Sequence, residues 1–284
     1  MKSILGWLGK NKTITVLLAI VVYFCIVTFH DEVTQVAINL RNAIGMEKYN
    51  AWLAIGFALI FVLFLAFLAR SIYRSSRRIL SILLTAGISI LIIISFRLLM
   101  TYNIEAIHFV EYMLVAIILY PALRSFGETV FWTTMLGILD EIFQYLFLTP
   151  QFEYFDFNDC VLNMLGAGAG MVLIFISAPG LFGRVDLRPW KSPAMFTGIL
   201  LLIFFIIFIV TGKITVDPTG TAEAGNWFSL NRKTMPDEFW REAYKGRRLH
   251  IMGPAEGIIV FYLTFAAFFL LDYLNAQGSG VSKR

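Results

Sequence analysis

A histidine and a glutamate in the first half of the chain have the spacing of an acid–base pair. Residues 104–115 read IEAIHFVEYMLV, so His108 and Glu111 stand three positions apart, with Tyr112 next to the glutamate. Residues three apart share one face of an α-helix. A histidine beside a carboxylate can transfer protons, and the same groups can bind the hydroxyls or amines of a ligand.

Two further apolar stretches carry polar side chains of the same kinds. In ILDEIFQYLF, residues 138–147, Asp140 and Gln144 are four positions apart and Glu141 is adjacent. In NDCVLNMLGAGAG, residues 158–170, Asp159 and Asn163 are also four apart, and Gly166 and Gly170 are predicted to let this helix pack closely against its neighbours. A carboxylate in the middle of a membrane costs roughly 2.5 to 3.5 kcal/mol on insertion scales. Such groups are expected to have a partner or to line a water-filled cavity.

The three polar sets fall at one depth when depth is counted along the helices. His108 lies sixteen residues before Arg124, and Asp140 lies sixteen residues after it. At a rise of 1.5 Å per residue, each is about 24 Å from that boundary, and Asn163 is about 21 Å from Ser177. The sequence therefore predicts one outward-open polar cluster, made of His108, Glu111, Asp140, Glu141, Gln144, Asp159 and Asn163.

The elements that must hold this cluster are those of a membrane protein. Of the 284 residues, 58% are hydrophobic and only 15% are charged, and 27 are phenylalanine. This composition predicts an all-α polytopic bundle with membrane lipids as partners. The formal net charge of +4 is too small to indicate a nucleic-acid partner. Two cysteines without disulfide or zinc spacing give no reason to expect a metal or a cofactor.

Eight apolar runs are long enough to cross a bilayer, which needs about 20 residues of helix. They lie near residues 13–29, 51–69, 79–100, 107–123, 129–148, 160–178, 194–211 and 254–272. We predict three regions: an N-terminal two-helix region (1–79), a core of central helices (80–180), and a C-terminal two-helix region (181–284).

The distribution of basic residues predicts the orientation. The loop at 70–78 carries four arginines, whereas the short loops on the opposite side hold only Arg41 and Lys48. Positive charge accumulates in short cytoplasmic loops. We therefore place both termini in the cytoplasm, and we interpret the first apolar run as a retained span because no cleavage site follows it.

Two segments outside the spans are expected on the outer surface. Val33, Val36, Leu40 and Ile44 recur at helical spacing, which is typical of an amphipathic helix in the interface. The other segment, 213–250, is predicted to contain a helix that begins at a Thr234 cap, and its aromatic residues, among them Phe239 and Trp240, suit the headgroup boundary. This segment either covers the outer face of the site or is an ordinary amphipathic connection.

Three motifs, in their order along the chain, resemble the VanZ-like family of bacterial membrane proteins, which is named for a teicoplanin-resistance protein. They are HFVEY at 108–112, DEIFQ at 140–144 and DCVLNMLGAGAG at 159–170. The resemblance covers the core at about 80–180. Carried over by position, the family pattern falls on His108, Tyr112, Asp140, Glu141, Gln144, Asp159, Asn163, Gly166 and Gly170. Glu111 is not part of it and rests on spacing alone.

The chain departs from the family pattern at two cations. Family members commonly have a lysine three residues before the histidine, where this chain has Glu105. They also have a Pro-Gly-Arg turn after the glutamine, where this chain has Thr149, Pro150 and Gln151. The predicted pocket is more acidic as a result. An anionic headgroup would then need Arg97, Arg247 or Arg248 as its counterion.

The resemblance implies a multi-pass protein of the bacterial inner membrane that acts in the cell envelope and lowers susceptibility to teicoplanin. We predict an outward-facing polar site for a lipid-linked or cell-wall precursor group, with Glu111, Tyr112, Gln144, Asp159 and Asn163 binding the ligand. Two alternatives stay open, an acid/base hydrolase or transferase using His108, Asp140 and Glu141, and an ion-coupled transporter. Whether the protein is an enzyme is not decided by the sequence.

Overall fold

The computed structural model describes residues 2–75, 77–147, 155–178, 192–215, 228–229, 239–244 and 246–277. Nine α-helices occupy this part of the chain. They are α1 (Lys2–Lys10), α2 (Lys12–Ile44), α3 (Met46–Tyr73), α4 (Arg78–Leu98), α5 (Ile107–Leu123), α6 (Phe126–Phe147), α7 (Phe157–Ser177), α8 (Pro193–Val210) and α9 (Pro254–Gln277). A 3-10 turn, Asn103–Ala106, precedes α5.

Seven helical segments in the described residues are long and apolar enough to cross a membrane. They lie in α2, α3, α4, α5 with its preceding turn, α7, α8 and α9. The fold is therefore the all-α multi-pass bundle that the composition predicts. The predicted eighth span corresponds to α6, whose 22 residues reach about 33 Å. Its three carboxylates, Glu128, Asp140 and Glu141, distinguish it from the other seven.

The predicted amphipathic helix after the first span is not a separate element. Helix α2 runs without interruption from Lys12 to Ile44, so the amphipathic residues extend the first spanning helix. Neither glycine nor proline occurs between Phe29 and Ile44, so nothing in this stretch favours a break. The helix ends at Gly45, whose φ of +85° is a conformation that glycine adopts without steric cost.

The predicted start of a helix at Thr234 lies outside the described residues. The described residues around it form three short strands, β1 (Ile214–Thr215), β2 (Phe228–Ser229) and β3 (Arg241–Tyr244). β3 pairs antiparallel with β4 (Arg247–Leu249). The turn between them contains Gly246 with φ +76°, and the Gly246 amide donates to Glu242 Oε1 at 2.7 Å. A glycine with positive φ is typical of a tight hairpin turn.

The chain divides into two compact units, Met1–Leu123 with Leu165–Gly183, and Arg124–Met164 with Arg184–Arg284. The three-region division made from the sequence stays a prediction. In the first unit α2 packs along α5, α1 lies against both, and α3 contacts α2 and α4. Thr15 Oγ donates to the Leu8 carbonyl at 2.7 Å and links the starts of α1 and α2.

The second unit is organised around α6, which packs against α8 and α9. Glu128 in the first turn of α6 accepts hydrogen bonds from the Ser192 hydroxyl and from the Ala194 amide at the start of α8. The Tyr262 hydroxyl of α9 donates to the Gly198 carbonyl of α8 at 2.8 Å. Polar side chains thus connect the three helices of this unit to one another.

The first turn of α6 is capped by a side chain from α9. Asp272 is only 5% exposed, and its carboxylate accepts from Ser125 Oγ at 2.7 Å and from the Phe126 and Gly127 amides at 2.9 Å each. These two amides belong to the set of four that a helix start leaves without intrahelical partners. A carboxylate is also favoured there by the helix dipole.

We expect Asp272→Ala to lower the free energy of unfolding by about 2 to 4 kcal/mol, because three buried donors lose their acceptor. The measurement is an SDS titration of the purified protein in mixed micelles, followed by far-UV circular dichroism. Tyr273→Phe is the matched control, since the neighbouring side chain on α9 is 51% exposed. Equal unfolding curves for the two variants would show that the cap contributes no stability.

Candidate functional site

The start of α5, which carries the predicted histidine, is held by the 3-10 turn before it. Both carboxylate oxygens of Glu105 accept backbone hydrogen bonds of 2.9 Å, one from the Thr101 amide and one from the Tyr102 amide. The glutamate that replaces the family's lysine therefore has a structural role in this chain. It fixes the turn from which α5 presents His108.

His108 lies among polar and aromatic neighbours within the first unit. Its Nδ1 is 3.9 Å from Glu111 Oε2, as the three-residue spacing predicts, and Tyr112 is fully buried next to them. The His30 ring of α2 stacks on the His108 ring with 6.4 Å between centroids. Sequence reasoning missed His30 because it ended the first span at Phe29. The continuity of α2 is what brings His30 to α5.

Two glycines of α7 allow this helix to contact the backbone of α5. A Cβ at Gly166 would lie 2.7 Å from the Phe109 carbonyl oxygen, and one at Gly170 would lie 2.9 Å from the Met113 carbonyl oxygen. Both distances are shorter than a carbon atom tolerates. The Gly-x-x-x-Gly spacing thus serves close packing, as the sequence predicts, and it holds the first turn of α5 in place.

Most of the predicted site residues of the second unit are buried. Asp140 is 0%, Glu141 4% and Gln144 3% exposed, whereas Asp159 is partly exposed. The Gln144 amide donates to Glu141 Oε1 at 3.3 Å. A carboxylate oxygen of Glu141 and one of Asp159 lie within 4.8 Å of each other. The unit therefore brings the polar face of α6 together with the polar start of α7.

Asn163 is a fully buried amide whose polar atoms are not satisfied by the described part of the chain. Neither its Nδ2 nor its Oδ1 has a hydrogen-bond partner there, and the same holds for Thr133 Oγ1. A Cβ at Gly137 would lie 2.8 Å from both the Cβ and the Nδ2 of Asn163. Buried side-chain amides are nearly always hydrogen-bonded in proteins. An orphan amide of this kind indicates a place for a ligand's polar group.

Sequence reasoning missed Thr133 and Gly137, although a spacing signal exists. Together with Glu141 they recur every fourth residue along α6, so all three share one helix face. Of this face, the sequence prediction included the charged Glu141 but not the small residues Thr133 and Gly137. They matter because Gly137 leaves the space that the Asn163 side chain occupies.

The first turn of α7 is positioned by a hydrogen-bond network that includes His250. Asn158 Nδ2 donates to the His250 carbonyl at 2.9 Å, and the Met252 amide donates to Asn158 Oδ1 at 2.9 Å. The His250 ring lies 2.9 Å from Glu256 Oε2 through Nε2. Because Asn158 precedes Asp159, this network fixes the position at which α7 presents Asp159.

The chemistry available to these side chains is acid–base exchange or hydrogen bonding. The two carboxylate oxygens of Glu141 and Asp159 supply only part of the six to eight ligands that Ca²⁺ takes. The expectation of no metal and no cofactor stays a prediction. Cys160 is fully buried, which does not suit a nucleophile that must reach a substrate.

The structure thus gathers the predicted residues into two sets. His108, Glu111 and Tyr112 belong to the first unit, and Asp140, Glu141, Gln144, Asp159 and Asn163 belong to the second. The single layer inferred from depth counting stays a prediction. Thr149, Pro150 and Gln151, where the family's second cation is replaced, lie outside the described residues.

Comparison with known proteins supports the family resemblance over the part of the chain that contains both sets of polar residues. Residues 93–178 match the family model described as VanZ/LLP1. This range contains every residue of the three motifs and about a third of the chain. No curated protein and no solved structure matches the sequence.

We expect Gly166→Ala to lower the free energy of unfolding by about 2 kcal/mol, because the added methyl group meets the α5 backbone, which cannot rotate away. Gly87→Ala is the matched control, since a Cβ at Gly87 on α4 has no atom within 4 Å. Alanine there should stabilise the helix by up to about 1 kcal/mol. Thermal unfolding in detergent measures both, and a Gly166→Ala protein as stable as the Gly87→Ala protein would contradict the close packing.

Proposed function

Because residues 93–178 are VanZ-like and the chain is a multi-pass membrane protein, we propose that it binds a lipid-linked or cell-wall precursor group from the outer side of the bacterial inner membrane. Binding uses the polar side chains of α6 and α7, and His108, Glu111 and Tyr112 of α5 serve the same function. By occupying or sequestering the precursor, the protein lowers susceptibility to teicoplanin.

The buried amide of Asn163 is the observation that carries this proposal. An amide at 0% exposure without a partner in the described chain destabilises the fold by roughly 1 to 3 kcal/mol. A side chain that served packing alone would be apolar, because an apolar group carries no such penalty. A ligand that hydrogen-bonds the amide does account for it.

The charge of the surrounding residues favours a ligand with amine or hydroxyl groups. Asp140, Glu141 and Asp159 offer carboxylate oxygens, which accept hydrogen bonds from amines and hydroxyls. The lysine that family members commonly have before the histidine is Glu105 here, and Glu105 is engaged with backbone amides. A sugar or a peptide amine of a precursor suits these acceptors better than its phosphate does.

One geometric observation favours a second function, an acid/base enzyme acting on a lipid-borne substrate. His108 Nδ1 lies 3.9 Å from Glu111 Oε2, which is longer than a hydrogen bond, and a small rotation of either side chain would bring the two within hydrogen-bond reach. In that function His108, Asp140 and Glu141 exchange protons with the substrate, and the remaining polar residues bind it.

Asp140→Asn separates the two functions, because it keeps the shape of the side chain and removes its charge. For a binding site we expect the Kd for a dansylated lipid-linked disaccharide pentapeptide, measured in nanodiscs, to rise at least tenfold, as charge-assisted hydrogen bonds contribute about 1.5 to 3 kcal/mol. The teicoplanin susceptibility of cells that produce the variant should return to that of cells without the protein.

For an enzyme, the Asp140→Asn protein should bind the probe as the unaltered protein does while product formation stops. Glu32→Gln is the control, because Glu32 is an exposed carboxylate of α2 that belongs to neither polar set. Unchanged binding, turnover and teicoplanin susceptibility in Asp140→Asn would exclude both functions.

Asn163→Ala should leave the protein about as stable and still abolish binding of the same probe. Alanine removes the unsatisfied amide, whose penalty of about 1 to 3 kcal/mol offsets the packing that is lost, so unfolding in SDS should need about the same detergent fraction. Simultaneous loss of stability and binding would instead assign Asn163 a structural role. Thr133→Val tests the neighbouring hydroxyl by the same two measurements.

A further inference from the structure

The first unit contains an apolar groove that the proposed function does not use. It has a volume of about 250 Å³ and lies among α3, α4, α5 and the glycine-rich part of α7. Five phenylalanines supply much of its wall, namely Phe57, Phe61, Phe64, Phe96 and Phe109. Ile60 and Ile93 at its margin are 49% and 53% exposed, so the groove reaches the surface that helices α3 and α4 present to the bilayer.

One charge stands at the end of this groove. Among the described residues that line it, Arg97 is the only charged one, and it lies in the last turn of α4. The 3-10 turn Asn103–Ala106 follows a few residues later and contributes Ala106 to the lining. Arg97 is therefore near the end of its span, where a guanidinium can reach the headgroup region while its stem stays in hydrocarbon.

The dimensions of the groove fit one hydrocarbon chain. The α3 residues that line it run from Ala54 to Phe64, which is about 15 Å of helix and half of a 30 Å hydrocarbon core. A cavity of 150 Å³ accepts benzene, so a groove of about 250 Å³ accepts one flexible hydrocarbon chain.

We propose that this groove is a binding site for a membrane lipid with an anionic phosphate headgroup. One acyl chain lies between α3 and α4 against the phenylalanines, and Arg97 binds the phosphate. Guanidinium and phosphate match in charge and in hydrogen-bond geometry. The second chain of the lipid stays in the bilayer, because the groove has no room for it.

This site is distinct from the polar residues of α6 and α7 and does not depend on what they bind. Its lining is apolar apart from Arg97, whereas the residues of α6 and α7 present carboxylates, amides and a hydroxyl. In this proposal Arg97 is the counterion of a bound membrane lipid.

The test uses phosphatidylglycerol with a diazirine at the end of one acyl chain, in nanodiscs of phosphatidylcholine. After photolysis, peptide mapping should show the label concentrated in 54–64 and 92–113, at least fivefold above the same probe built on phosphatidylcholine. Ala58→Phe, which fills the groove, should reduce this labelling at least fivefold. Arg97→Gln should keep labelling and remove the preference for phosphatidylglycerol.

Two matched controls accompany these variants. Ala66→Phe adds the same ring to an exposed position of α3 outside the groove, and Arg74→Gln removes a charge at the opposite end of α3. Both should label as the unaltered protein does. Labelling spread evenly along α3 in the unaltered protein, or equal labelling of Ala58→Phe and Ala66→Phe, would overturn the proposal, and so would a preference for phosphatidylglycerol that survives Arg97→Gln.

Discussion

Charged and amide groups on α6 must be satisfied by protein, because hydrocarbon offers them no partner. Much of the second unit follows from this constraint. Glu128 is bound by the start of α8, and the amides at the start of α6 are bound by Asp272 of α9. Farther along the helix, Glu141 contacts Gln144 and comes within 4.8 Å of Asp159. A helix too polar to face lipid on all sides is thereby held among three others.

The parts of this arrangement that depend on local spacing could be predicted from the sequence. The helical placement of His108 with Glu111 and the packing role of Gly166 follow from residues three or four positions apart, and the structure reproduces both. The all-α bundle follows from composition in the same way. The resemblance to a known family rests on the order in which the three polar motifs follow one another along the chain.

Contacts between residues distant in sequence could not be predicted. Nothing in the neighbourhood of His30 indicates that its ring lies on His108, and Asp272 is separated from its amide partners by about 146 residues. The strand at Arg241–Tyr244 was likewise not predicted, because it depends on pairing with Arg247–Leu249. Pairing energy between strands is not visible in either strand alone.

The Asp272 cap also bears on the order in which the protein is made. The ribosome adds roughly 5 to 20 residues per second, so the carboxylate that closes the start of α6 is synthesised roughly 7 to 30 s after the amides it binds, which lie about 146 positions earlier. During that interval the Phe126 and Gly127 amides lack the carboxylate that caps them in the finished bundle. The cap therefore forms only after α9 has been made, so this contact closes the second unit late in synthesis.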